Sequence, residues 1–332
     1  MRIAGMMTVA ALLTLAGMAE PRRVAAHEPI AVHAAPAAGP VTILSYNVEG
    51  LPWPLTHGRI AAAEAIATEL RALHDRGVGP QVVAVQEAFG DAQKAIGASA
   101  GYRYAAFGPA AALPAAPAAS ADETAFLHAA SFWHGETEGP REDSGLAIFS
   151  DYPIVWARRI AYPRFACAGY DCLANKGILA VALRIPGRAA PLIVMDTHLN
   201  ARAASGVDDA RSFYAYRHQV AALQQFIAAI VPTRSALVLA GDFNVGNDVA
   251  RQDVLATALY RGGSMTIAAS ESSCGAECRV IAASPTMARA KTIVSYRGPI
   301  AAEGRTTGFG TLPDGSRLSD HIGVMRSFAY RS

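Results

Sequence analysis

The chain has 332 residues, 52% of them hydrophobic and 17% charged, with 29 lysines and arginines against 27 aspartates and glutamates. That is enough for one large domain or two small ones with an ample core. The near-balance of charge excludes a nucleic-acid binder that works by bulk positive charge and leaves only a local patch for such a role.

Residues 1–26 read as a leader rather than as part of a fold. Arg2 supplies a positive start, residues 3–18 are an apolar run, and Val24-Ala25-Ala26 is a small-residue cleavage site. A membrane anchor fits less well, because the run is short for a bilayer and Glu20, Arg22 and Arg23 follow closely. The expected product is an exported, soluble monomer, secreted or periplasmic. Without the leader, 26 basic residues face 26 acidic ones, and only Lys94, Lys176 and Lys291 are lysines. Four cysteines fall in two tight pairs, Cys167/Cys172 and Cys274/Cys278. Export favours disulfides, and local pairing is the simplest of three connectivities. A four-thiolate zinc site uses similar spacings but belongs more naturally to a reducing compartment.

Residues 27–40 are an Ala/Pro-rich tether, and the catalytic domain is expected over 41–332. Val41-Thr-Ile-Leu-Ser-Tyr46 predicts a first strand. Ile60, Ala63, Ile66, Leu70 and Leu73 have helical spacing, and Gln81-Val-Val-Ala-Val85 is a second buried strand. A short helix is expected over 91–98. Residues 105–140 are the least regular part: an Ala/Pro run, then Phe126, Phe132 and Trp133 among histidines and acids, a surface loop whose aromatics either pack back on the body or touch lipid. Strands are predicted over 144–149 and 154–160, and a hairpin pair over 176–183 and 191–196. Tyr216, Val220, Leu223, Ile227 and Ile230 mark a long amphipathic helix that ends at Pro232. The run Ala236-Leu-Val-Leu-Ala240 is a buried strand, followed by a helix over 253–260 and closing strands over 291–296 and 322–328. Strands and helices alternate without repeat or linker, as in a single α/β domain.

Polar residues recur at the C-terminal ends of these strands: Asn47, Glu87, His198 in Asp196-Thr-His-Leu-Asn200, and Asp242 with Asn244. Asp320 and His321 lie just before the last strand. Ligands of α/β sheets gather at strand ends. If the extended path continues past Gly241, Asp242 and Asn244 point the same way.

In Ser-Tyr-Asn47, Val-Gln-Glu87, Thr-His198-Leu-Asn, Gly-Asp242-Phe-Asn244 and Ser-Asp320-His321, in that order, the chain resembles the endonuclease/exonuclease/phosphatase superfamily, from Val41 to about Phe328. The resemblance implies a deoxyribonuclease-like four-layer sandwich, two mixed β-sheets flanked by helices, and metal-dependent cleavage of phosphate esters. Leu51-Pro52, the segment Asp143-Ser-Gly-Leu-Ala-Ile-Phe-Ser and Asn175-Lys176-Gly177 are similar to the secreted bacterial neutral sphingomyelinases and phospholipases C. The implied activity is hydrolysis of a phospholipid headgroup ester at a membrane surface, with no stable nucleic-acid partner. The rivals are a secreted Mg-dependent nuclease and a catalytically weakened lipid-binding relative.

The resemblance also implies the roles. Glu87 and Asn47 would hold Mg²⁺, or Mn²⁺ or Co²⁺, as hard oxygen ligands. His321 would be the base for the attacking water, and His198 the donor to a phosphate oxygen. Asn244 would hold phosphate or water, and Asp242 would orient the nucleophile or join a second metal position. Asp320, Asp143, Asn200 and Lys176 would support the site. One departure stands out. The family carries an aspartate in the strand before the final Asp-His, but here that strand is Lys291-Thr-Ile-Val-Ser-Tyr-Arg297, with Thr292 near the position. Another acid reaches His321, or the enzyme is slow, or the correspondence is displaced. Under the first two readings Thr292→Asp is expected to leave turnover intact. His57, His74, His128, His134 and His218 are expected on the surface, and Arg202, Arg211 and Arg217 as a solvated helix face. Trp53 and Trp133 are expected to pack rather than insert.

Overall fold

The computed structural model describes residues 22–23, 33, 39–51, 56–262, 264–271, 287 and 290–331. In chain order the elements are β1 (Arg22–Arg23), β2 (Val41–Asn47), α1 (Arg59–Asp75), β3 (Val82–Gln86), α2 (Asp91–Lys94), α3 (Ile96–Ala100), β4 (Tyr104–Phe107) and α4 (Ala121–His128). Then come β5 (Ala147–Ser150), β6 (Ile154–Ala161), β7 (Gly177–Leu183), β8 (Leu192–His198), α5 (Asp209–Ile230) and β9 (Leu237–Asp242). The last are α6 (Val249–Leu255), β10 (Thr266–Ser270), β11 (Thr292–Arg297), β12 (Ile300–Phe309) and β13 (Gly323–Tyr330).

One sheet runs β1-β4-β5-β3-β2-β13-β12 and the other β10-β11-β9-β8-β7-β6. Each is mixed: β2 and β3 are parallel in the first, β8 and β9 in the second, and the remaining pairs are antiparallel. Side-chain alternation along the strands builds the layers. Ile43, Val82 and Ile148 meet Val181, Val194, Val238 and Val294 between the sheets. Their neighbours Leu44, Val83 and Phe149 face Ile66 and Leu70 of α1, while Ile193, Met195, Leu237 and Leu239 face Tyr216, Val220 and Leu223 of α5. The four-layer sandwich expected from the motifs is therefore present.

Several local expectations change. The segment 105–140 is not one irregular loop. It holds β4 at its edge, α4, and a 3₁₀ turn at Phe132–His134. A capping box starts α4: Ser120 Oγ accepts from Glu123 N, and Glu123 returns a carboxylate to Ser120 N. The Ser-x-x-Glu spacing was in plain view inside an alanine-rich stretch that lacks apolar periodicity. The helix expected over 91–98 is two short ones, and the one expected over 253–260 starts earlier, as α6, and ends in a π turn at Ala256–Tyr260. Strands β10 and β12 had no expectation; β12 carries Glu303, Gly304 and Arg305 at a register shift on a sheet edge, where apolar alternation is not required.

Arg22 and Arg23, inside the segment read as a leader, pair with Ala105 and Tyr104; the rest of 1–26 lies outside the described residues, as do Trp53 and the pair Cys274/Cys278. Cys167 and Cys172 are joined in a disulfide. No helix among the described residues is long and apolar enough to cross a membrane.

Candidate active site

The two parallel strand pairs place their C-terminal ends side by side. Asn47 ends β2 opposite Gln86, with Glu87 next in line. His198 ends β8 opposite Asp242, which in turn pairs across β11 with Thr292. Gly241 makes this approach possible: its φ is 151°, and a Cβ there would lie 2.2 Å from the Thr197 carbonyl oxygen. Beyond Asp242 the extended path stops. Asn244 is left-handed, with φ 45°, and its N–H donates to Asp242 Oδ1 at 3.0 Å. Asp242 and Asn244 thus converge through a turn rather than along a continued strand.

Among the described residues, three non-glycines have positive φ: Glu49, Glu87 and Asn244. All three stand at this strand mouth. Each conformation costs about 1 kcal/mol or more, and the site's hydrogen bonds offset that cost. Asn47 is buried and its Nδ2 donates to Glu87 Oε1 at 2.8 Å and to Asp242 Oδ2 at 3.1 Å, while its Oδ1 accepts from Glu49 N. One amide therefore draws two carboxylates from different sheets toward a common point. Burial raises the Glu87 carboxyl above the usual range, against the Asn47 bond that lowers it.

The two histidines flank Asp242. His198 Nε2 is 3.8 Å and His321 Nε2 3.6 Å from Asp242 Oδ2. Burial, then the positive charge of Lys176, pushes His198 down to about 3, so it is neutral at physiological pH; Asn244 Nδ2 lies 3.2 Å from its Nε2. At His321 burial works the same way, but Asp242 and Glu271 outweigh it and raise the imidazole to about 9. Burial also opposes ionisation of Asp242, yet the His321 charge and the bonds from Asn47 and Asn244 hold its carboxyl at about 2.

Glu271 resolves the missing-aspartate departure. It follows β10, whose Ser270 pairs with Ile293, and so lands beside Thr292. Thr292 Oγ1 donates to Glu271 Oε2 at 3.1 Å, Lys291 N donates to Oε1 at 2.9 Å, and Oε2 lies 3.8 Å from His321 Nδ1. That last separation is a charge contact just beyond hydrogen-bond range. The acid comes from the neighbouring strand, and Thr292 holds it. On this geometry Thr292→Asp is instead expected to cost activity, since the new carboxylate would face Glu271.

The supporting residues divide. Asp320 is exposed, with Oδ1 3.7 Å from His321 Nε2. Lys176 is buried, pairs with Asp171 at 2.8 Å, and donates to the Leu199 carbonyl at 3.3 Å. Asn200 braces loops instead, accepting from Ala168 N and donating to Ala201 O. Asp143 bonds Lys94 at 2.6 Å and accepts from Gly145 N. Sequence reasoning missed two organisers besides Glu271. Arg251, fully buried over the Tyr216 ring, donates to the carbonyls of Asn200 and Asn244 and so ties together the loops after β8 and β9. Arg59 donates to the carbonyls of Val48, Glu49 and Leu318. Neither carries a sequence signal, because backbone carbonyl partners leave no side-chain motif. Arg202, Arg211 and Arg217 each pair with an acid: Asp209, Glu136 and Asp122.

A family model described as the Endonuclease/Exonuclease/phosphatase family matches residues 44–322. Among curated proteins no match is found. Similar solved structures include a mutant beta toxin from Staphylococcus aureus with bound magnesium ions, at 16% identity and a TM-score of 0.60, covering 89% of this chain and 100% of that one. Sphingomyelinase C from Streptomyces griseocarneus is 21% identical with a TM-score of 0.56, covering 87% and 99%. D. rerio TDP2, complexed with a single-strand DNA product, is 16% identical with a TM-score of 0.54, covering 87% and 99%. At these identities the likeness speaks to the fold, and the family model to membership. With its sandwich and its strand-end residues in place, the chain belongs to the endonuclease/exonuclease/phosphatase family, whose members are hydrolases of phosphate esters and diesters.

Proposed function

We propose that this chain is an exported, divalent-metal-dependent phosphodiesterase that releases a phosphorylated headgroup from a phospholipid. The observation that carries the reading is the Asn47 amide holding Glu87 and Asp242 together between two histidines of opposite charge preference. Two carboxylates converging in a partly desolvated site are a donor set of hard oxygens, which fits Mg²⁺ or Mn²⁺. Glu87 and Asp242 would hold the ion; Asn47, whose oxygen is turned to Glu49 N, spaces the pair. Such an ion polarises a phosphoryl group and stabilises the leaving alkoxide.

The chain's own groups supply the rest. His321 faces Asp242 and Asp320 with Nε2 and is held as the cation by Asp242 and Glu271; it would take a proton from water there in its neutral form, which a divalent ion offsetting the Asp242 charge would favour. His198, neutral at rest, gains a reason to protonate when a phosphate anion arrives beside it, and can then donate to a non-bridging oxygen. Asn244 Nδ2 is the neighbouring neutral donor. A lipid substrate is favoured over DNA by two features. Phe132 and Trp133 are 60% and 83% exposed and meet edge-to-face at 5.6 Å, an aromatic pair suited to an interface. The arginines of α5 that would otherwise greet a nucleic-acid backbone already have acidic partners. A substrate panel of sphingomyelin, lysophospholipid, phosphoinositide and plasmid DNA, each with and without EDTA, tests the reading. Chelator-sensitive headgroup release from a lipid is expected; nicking of DNA with no lipid turnover would replace it with the nuclease.

A further inference from the structure

At the other end of the first sheet lies a second group of ligating side chains. Asp151 follows β5, and its N–H donates to the carbonyl of Gln81, just before β3 begins. Glu87 lies beyond the far end of that same strand, about 20 Å away at ~3.3 Å per residue. Asp151 is buried, and its two oxygens face two histidines: Oδ1 is 2.8 Å from His33 Nδ1 and Oδ2 is 3.0 Å from His74 Nε2. The two imidazoles are stacked, 3.5 Å between centroids and 14° from parallel, and the Tyr102 ring stands edge-on to both. Among the described residues this is the one group of three His, Cys, Asp or Glu side chains whose ligand atoms all lie within 4.8 Å of one another.

The hydrogen bonds restrict what occupies the centre. His74 Nδ1 lies 3.1 Å from the carbonyl oxygen of Leu70, one turn back in α1. A carbonyl only accepts, so Nδ1 carries the proton, and in a neutral ring Nε2 is a bare lone pair. That lone pair faces a carboxylate oxygen, a second acceptor. The contact requires either an extra proton shared by the pair or a cation between them. A backbone carbonyl that fixes the distal nitrogen of a histidine is also the arrangement that orients metal-bound imidazoles. The setting is built for the ring: a Cβ on Gly79 would sit 2.5 Å from His74 Nδ1. His33 points its Nδ1 at the other oxygen of the same carboxylate.

We propose that His33, His74 and Asp151 bind a first-row transition ion such as zinc, with water completing the coordination. Two imidazoles and one carboxylate suit zinc, cobalt or nickel and are a poor match for Mg²⁺. Ligand atoms on a tetrahedral zinc stand about 3.3 Å apart, so the N···O separations would open by a few tenths of an ångström and one imidazole would turn out of the stack to aim its lone pair at the shared ion. The ion would clasp the N-terminal tether to the body. His33 is already held there by its N–H to Gly101 O and by Arg103, which donates to its carbonyl.

The test is zinc binding by the full, untagged chain, stripped with EDTA and titrated calorimetrically with ZnCl₂ in excess Mg²⁺. A Glu87→Gln background removes the catalytic carboxylate as a competing site. One equivalent of zinc is expected there, with a rise in Tm of a few degrees and visible d–d bands when Co²⁺ replaces zinc. His74→Gln and His33→Gln should each lose that equivalent and the Tm response. His33 stands outside the hydrophobic core, so its variant keeps the fold and stays informative if His74→Gln does not fold. Absence of a stoichiometric zinc site, or one retained equally in both variants, would overturn the proposal and leave the cluster as a proton-bridged latch.

Discussion

His198 and His321 approach the same Asp242 oxygen at nearly the same distance, yet one is held neutral and the other cationic. Both are buried, and burial disfavours the charge on both. The difference comes from the next ring of neighbours: Lys176 beside His198, Glu271 beside His321. The resting charge of each histidine is therefore set in part by residues that need not touch the reacting atoms. Histidines with matched surroundings would compete for one role; histidines with opposed surroundings divide two.

The division can be broken most severely at the base. His321→Ala should lower kcat by about 10²- to 10⁴-fold, the usual worth of a positioned general base, with the fold unchanged by circular dichroism. A residual rate within a few-fold of wild type would mean that His321 is not the base. Glu271→Gln should cost less, about 10- to 100-fold, mainly in kcat, because it loosens the orientation of His321 without removing it. Thr292→Asp should also lose activity by setting a second carboxylate against Glu271, and combining it with Glu271→Gln should recover part of the loss. Steady-state kinetics of the two single variants and the double variant decide this; additive losses would contradict a shared role. The smallest effect is expected at Lys176→Met. Removing that cation takes away a charge that disfavours the imidazolium, so His198 should titrate at higher pH in an NMR titration, while kcat changes by less than about 10-fold. An unshifted His198 would show that burial alone keeps it neutral.

These neighbours also mark how much of the molecule was legible beforehand. Asn47, Glu87, His198 and Asp242 sit at the ends of apolar strands and His321 just before one, so pattern and chemistry coincide and the strand mouths were readable. Glu271 was not, because it lies one residue past a short strand that has little alternation, and its partnership with Thr292 is set by register between two strands of the sheet. The absence of an aspartate at one position was visible, while its replacement from the next strand needed the fold. His74 shows the same limit. Read as a surface residue, it is instead only 12% exposed at its side chain and bonded to Asp151, seventy-seven positions away. His57 and His128 are exposed as expected, and α4 went unread although its capping box was in the sequence.

The central claim is that Glu87 and Asp242 gather a divalent cation for phosphodiester hydrolysis. It is tested most directly by returning Mg²⁺ to EDTA-treated enzyme and following hydrolysis of p-nitrophenyl phosphorylcholine, for the wild type and for Glu87→Gln. The wild type should fall to background on chelation and recover with added Mg²⁺, and the variant should stay at background at the same concentrations. A wild-type rate that is indifferent to EDTA, or a variant that recovers as fully as the wild type, would contradict the account.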